Sequence, residues 1–171
     1  MRKAHNVFDQ LHVFEEEIHR LEGRLLELEQ SIEKLIQIER NHLVRVKNKE
    51  ELSDDFILSG RAYHDLSPER AWRIYQNMNY DFMVLDVSAE DFDPDDRIPE
   101  ALQIPLDQLE QRHSEISSKT TPLLVISEDG TASVLACNFL VKRGYYNCNN
   151  VSGGYKFWKG SLVSQLTNPS A

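Results

Sequence analysis

Between residues 7 and 35 apolar side chains return at alternating intervals of three and four, a spacing that suits a helix sharing its face with another helix. With Leu11 as heptad position a, the a series reads Leu11, Ile18, Leu25, Ile32, and the d series reads Val7, Phe14, Leu21, Leu28, Leu35. A helix turns once in about 3.6 residues, so a strict seven-residue repeat drifts around a straight helix and stays covered only if helices supercoil. Self-association through this seam is expected, with a dimer favoured. The alternative is that the helix packs along its own domain. Mixed Leu and Ile at a with mostly Leu at d selects neither the number of helices nor their direction. Glu39 and His42 then fall on the seam and end it near Leu35. Ile36 and Ile38 flank it and widen the apolar face, as expected where a helix begins to meet another surface. His5, His12 and His19 repeat on the outer side about 10 Å apart, too far to share a metal ion.

The charge balance narrows the partners. Nineteen Lys and Arg against 28 Asp and Glu give a net −9. A nucleic-acid binder needs a basic face that displaces counterions, and an anionic membrane selects the same sign, so neither partner is expected. Acidity is uneven: residues 1–50 carry 9 basic and 10 acidic side chains, residues 51–171 carry 10 and 18. No run of about 20 apolar residues is present to span a bilayer. The opening MRKAHNVFDQLHVFEEE lacks the apolar core of a signal peptide, and two cysteines, Cys137 and Cys148, make no disulfide framework. A cytoplasmic protein is the expectation.

Four segments are expected: a coiled-coil helix over 1–48, a linker with a short docking segment over 49–61, an α/β domain over 62–165, and a tail over 166–171. In the linker, Ser53-Asp54-Asp55 starts a short helix carrying Phe56, Ile57 and Leu58, and Gly60 stops it. From Leu66 onward, buried-type runs alternate with helical segments. Ser67-Pro68-Glu69 opens the helix SPERAWRIYQ. Strand runs lie within 81–87, 102–106, 122–127 and near 147–151, with the helix ASVLACNFLVKR before Gly144 and a last aromatic helix after Gly153-Gly154. Short apolar strands separated by helices imply a parallel sheet covered on both faces.

Six short motifs, in order, resemble those of rhodanese-like domains: Leu66-Ser67-Pro68, Leu85-Asp86-Val87, Ile98-Pro99 with Ala101, Ile104-Pro105-Leu106, the strand and loop VISEDGTAS, and Val151-Ser152-Gly153-Gly154 with Trp158. The resemblance spans about 100 residues and none of the heptads. It implies an α/β fold, a five-stranded parallel sheet flanked by helices, here preceded by the long N-terminal coiled-coil helix. It also implies a functional loop at the end of the central strand. In active members that loop opens with a cysteine, whose thiolate is stabilised by backbone amides and a helix N-terminus and accepts a sulfane sulfur.

By that resemblance Ser127 takes the cysteine position, and the loop Ser127, Glu128, Asp129, Gly130, Thr131, Ala132, Ser133 is the candidate binding loop. An alcohol is far less acidic than a thiol and cannot store sulfur. Ala132 stands where many active members have arginine, and Glu128 and Asp129 would repel an anionic sulfur donor. Ser88 and Arg97 replace an arginine and a histidine common in the family, and Asp96 and Glu100 replace two glycines. Gly130 and Ser133 would keep the turn. The expected function is a catalytically inactive, self-associating binding or scaffold module for another protein, with a basic peptide as a plausible ligand. The alternatives are a sulfurtransferase using Cys137 or Cys148, or a hydrolase built on Ser127 with a carboxylate such as Asp129. No cofactor or metal is implied. Glu90, Asp91, Asp93, Asp95 and Asp96 lack calcium-loop spacing and read as a solvated acidic loop. Trp158 reads as core, while Tyr145, Tyr146, Tyr155 and Phe157 are open as a partner surface.

Overall fold

The computed structural model describes residues 2–92 and 97–158, with side chains from Val7 onward. Contacts divide the chain into two compact units, Met1–Ile36 and Gln37–Ala171, and one helix, α1 (Arg2–Lys47), contributes to both. Within the first unit the eight seam side chains from Leu11 to Leu35 are 49–65 % exposed. His12 and His19 lie on the helix surface, where His12 meets Glu15 and Glu16. His5 and most of the acidic cluster (Asp93, Asp95, Asp96) lie outside the described side chains.

The second unit starts where the apolar seam stops, and there polar side chains outside the a and d positions face inward. Asn41 and Arg45, one helical turn apart, are fully buried. The Asn41 amide donates to the Ala62 carbonyl at 2.5 Å, and the Arg45 guanidinium donates to the Cys148 carbonyl at 2.7 Å. Helix α1 thus meets a second surface after Leu35, as Ile36 and Ile38 suggested, but hydrogen bonds rather than apolar contact anchor it. Helix α2 (Asp54–Ser59) follows, with the Ser53 hydroxyl accepting the Phe56 amide at its start and Gly60 in the left-handed region at its end. Only Phe56 of its apolar patch is buried; Ile57 and Leu58 are exposed.

Five parallel strands form the sheet: β1 (His64–Leu66), β2 (Met83–Asp86), β3 (Leu102–Gln103), β4 (Leu123–Ile126) and β5 (Cys148–Val151), in the order β1-β5-β4-β2-β3. The sequence runs located four of them. The fifth, β1, is a half-buried His-Asp-Leu edge strand without an apolar signature. β3 is confined to two residues, shorter than its apolar run. Strand alternation splits the core. Leu123, Val125 and Leu85 face α4 (Leu109–Arg112) and α5 (Thr131–Lys142) with Ala136, Cys137 and Leu140. Leu124, Ile126 and Val84 face the other side with Ala71 of α3 (Pro68–Tyr75), and with Tyr155 and Trp158 at and just after α6 (Gly154–Phe157). The proposed aromatic partner surface is corrected here: Tyr145 and Tyr155 are core residues, and of that group Phe157 is the one largely exposed.

Candidate functional site

Parallel strands all end on one edge, and loops leaving that edge converge there. The loop after β4, residues 127–133, is closed from below by the segment after β5. Gly130 and Gly153 adopt φ of 90° and 75°, and Gly154 adopts 55°. A Cβ on Gly154 would lie 1.9 Å from the Ser127 carbonyl, and one on Gly130 would lie 2.7 Å from the Gly153 nitrogen. The two backbones therefore touch directly, and only glycine allows it. The Tyr155 amide donates to the Ser127 carbonyl and the Lys156 amide to the Glu128 carbonyl, which locks the contact.

Ser127 is 1 % exposed. Its hydroxyl accepts the Gly130 amide at 3.1 Å and the Ser133 amide at 3.2 Å. It donates to the Ser133 hydroxyl, which in turn donates to the Gly130 carbonyl at 3.0 Å. Every partner is an amide, a carbonyl or another alcohol, so none can take the Ser127 proton as a base. Asp129 does not fill that role. Its carboxylate accepts the Thr131 amide at 2.9 Å, and bonds from Thr131 hold its pKa below the usual range. Glu128 and Asp129 are both exposed, while Gly130 and Ser133 are buried.

Both cysteines belong to the core. Cys137 and Cys148 are fully buried, and burial pushes both thiols up, that of Cys148 to about 12. Cys148 donates its S–H to the Tyr145 carbonyl. No cation beside it was legible in the sequence, yet Arg45 lies against it. That guanidinium bonds the Cys148 carbonyl rather than the sulfur, and its charge only partly offsets burial.

Beside the loop, an open groove of about 510 Å³ is lined by Asp65, Asp129, Thr131, Leu135, Asn150 and Gly153. The Asn150 amide donates to Asp65 at 2.8 Å, while its own carbonyl oxygen, buried, has no hydrogen-bond partner. Asp65 and Asn150 were missed in the sequence because an edge strand and a polar β5 gave no pattern to single them out. On β2, the strand next to β4, buried Asp86 accepts the Tyr155 hydroxyl at 3.0 Å and the Ser88 amide at 2.9 Å, with Arg97 at 3.5 Å. The carboxylate therefore knits three loops together.

A model of the rhodanese-like domain matches residues 67–161, more than half of the chain. The chain belongs to the rhodanese-like family. Among curated relatives, the thiosulfate sulfurtransferase GlpE of Coxiella burnetii is 29% identical over 97 residues, which cover 57% of this chain and 88% of that protein. Among solved structures, a rhodanese-like domain protein from Staphylococcus aureus superposes with a TM-score of 0.50 at 18% identity, covering 57% of this chain and 93% of that one. The rhodanese-like domain of the Alr3790 protein from Anabaena gives a TM-score of 0.51 at 20% identity, covering 63% and 86%. Both structures support the fold of the rhodanese-like domain. The match stops short of the heptads and of the Asn41–Arg45 anchor.

Proposed function

We propose that this rhodanese-like protein no longer transfers sulfur and serves as a paired binding module, joined through its N-terminal helix. The observation that carries the reading is the state of Ser127. Taken as the family's nucleophile position, it presents a buried alcohol whose hydrogen bonds are all met within the loop and which has no base. In an active site those same amides would stabilise a thiolate. Here they stabilise the loop.

The groove beside it supplies the binding chemistry. The exposed Asp129 carboxylate and the unpartnered Asn150 amide oxygen, beside an Asp65 that Arg61 already holds, fit a cationic donor such as a lysine or arginine side chain of a partner protein. Pairing rests on the uncovered seam. Half-burying each Leu or Ile is worth about 1 kcal/mol. Summed over two helices, that matches an association cost of about 4–15 kcal/mol. Two linked domains then bind a repeated partner with higher avidity and no new contact.

The test combines turnover and mass. With thiosulfate and cyanide, the wild-type chain is expected to form thiocyanate no faster than buffer. Ser127→Cys is expected to remain within about tenfold of that background, because the loop bears Glu128 and Asp129 where a sulfur donor anion would enter. Wild-type turnover abolished by Cys137→Ala or Cys148→Ala would overturn the reading, whereas robust activity of Ser127→Cys would confine the loss to the nucleophile alone. Light scattering should give the mass of an oligomer for the intact chain and of a monomer for Leu21→Asp/Leu28→Asp; a monomeric wild type removes the pairing.

A further inference from the structure

At the opposite edge of the sheet, where the strands begin, a cavity of about 600 Å³ lies between the end of α1, α3 and the starts of β1, β4 and β5. It shares no lining residue with the groove beside the Ser127 loop. We propose that this cavity binds an organic phosphate of nucleotide size, with the phosphate held by Arg70, Arg73 and Lys49.

Charge is the first argument. Four cationic side chains line the cavity, Arg45, Lys49, Arg70 and Arg73, against two carboxylates, Glu50 and Glu51. Arg45 and Glu50 are bound to each other at 2.9 Å. The remaining three cations outnumber Glu51, a local excess of positive charge in a chain whose net charge is −9. Arg70 and Arg73, three residues apart on α3, fall on one helix face, and planar guanidinium forks suit phosphate oxygens better than a single ammonium does. His64 stands on the same wall. Burial first, then the Arg45 and Arg70 charges, bring its pKa down to about 4.

Size and lining give the rest of the ligand. A cavity of this volume falls in the range of about 300–1,000 Å³ typical of small-molecule sites, far more than inorganic phosphate fills. Leu66, Ile74 and Leu124 supply an apolar wall, and the Tyr80 ring stands beside them. A planar or apolar body carrying a dianion matches both halves. The Arg45–Glu50 pair makes one wall rigid, because Glu50 also accepts from Asn147 and Arg45 is 1 % exposed. This wall comes from residues 45–52, ahead of the family match, whereas Arg70, Arg73, Ile74 and Tyr80 lie within it, so the cavity is formed jointly by this chain's N-terminal extension and the shared domain.

Calorimetric titration of the full chain tests it, with adenosine monophosphate and phenyl phosphate as probes and with adenosine and inorganic phosphate as controls. At least one organic phosphate is expected to bind saturably with Kd below about 1 mM, and the controls at least about tenfold more weakly. Arg70→Gln/Arg73→Gln, on a helix surface, should retain the wild-type circular dichroism and weaken binding at least about tenfold. The proposal is overturned if neither organic phosphate binds, if adenosine binds equally well, or if the folded double variant binds as the wild type does.

Discussion

Replacing Gly154 with alanine is expected to destabilise the domain by at least about 3 kcal/mol, read as a lower urea midpoint by tryptophan fluorescence. Ordinary glycine replacements cost less, since only conformational freedom is at stake. Two effects add here. The backbone sits at φ 55°, which L side chains rarely adopt, and the new Cβ would lie 1.9 Å from the Ser127 carbonyl, 2.8 Å from the Gly130 nitrogen and 2.9 Å from the Glu128 carbonyl carbon. All three are backbone atoms, so no side chain can swing aside. The loop must move, and with it the amides that hold Ser127. Gly23→Ala is the matched control: nothing lies within 4 Å of a Cβ there, and it is expected to stabilise α1 by about 0.5–1 kcal/mol. A Gly154→Ala chain as stable as wild type would mean that the loop after β4 yields easily, contrary to its hydrogen bonding.

Arg45→Ala should cost about 3–5 kcal/mol, the scale for breaking a buried ion pair from one side. Glu50 is 14% exposed and would lose its guanidinium partner. The Asn149 side-chain oxygen and the Cys148 carbonyl, bonded at 2.9 Å and 2.7 Å, would lose theirs, as would Asn41. The guanidinium also packs against the Phe56 ring at 5.0 Å, so α2 loosens with it. Lysine in its place is expected to recover only part of the loss, since an ammonium has three donors on one atom against the four spread acceptors that the guanidinium fork serves. Coupling separates the pair from the packing: Arg45→Met/Glu50→Gln should be more stable than the two single variants predict by at least about 1 kcal/mol in chemical denaturation. Additive costs would mean that the salt bridge contributes nothing beyond its neighbours.

These two positions differ in how far they could be read in advance. Gly154 was legible as half of a glycine pair that turns the chain within a family motif, though the close backbone approach it makes was not. Arg45 was not. It stands in an exposed-looking basic run with Arg40, Lys47 and Lys49, and no local pattern tells a buried arginine from a solvated one. Its spacing from Asn41, one helical turn away at heptad positions outside the seam rather than on it, gave no apolar period to mark a buried face. The same limit hid β1, where His64 and Asp65 form a strand only because β5 offers a parallel partner, and it hid the groove acceptors Asp65 and Asn150. The tyrosines failed the other way: their clustering suggested a surface, but Tyr145 and Tyr155 have apolar bodies that fill the core and hydroxyls that reach His113 and Asp86.

The one-dimensional pattern was sufficient for whatever depends on neighbours along the chain. That includes the long N-terminal helix, the capped helices opened by Ser53 and Ser67, and the apolar runs of β2 and β4, while the loop of residues 127–133 came from the family resemblance. Contacts between distant segments needed the folded chain. Burial of Arg45 against β5, the sealing of Ser127 by Gly153-Gly154, and the gathering of Arg70, Arg73 and Lys49 around one cavity each join residues that nothing local relates. Local hydrogen bonding and hydrophobic period are properties of a segment, whereas the field and the solvent exposure at a side chain belong to everything packed around it.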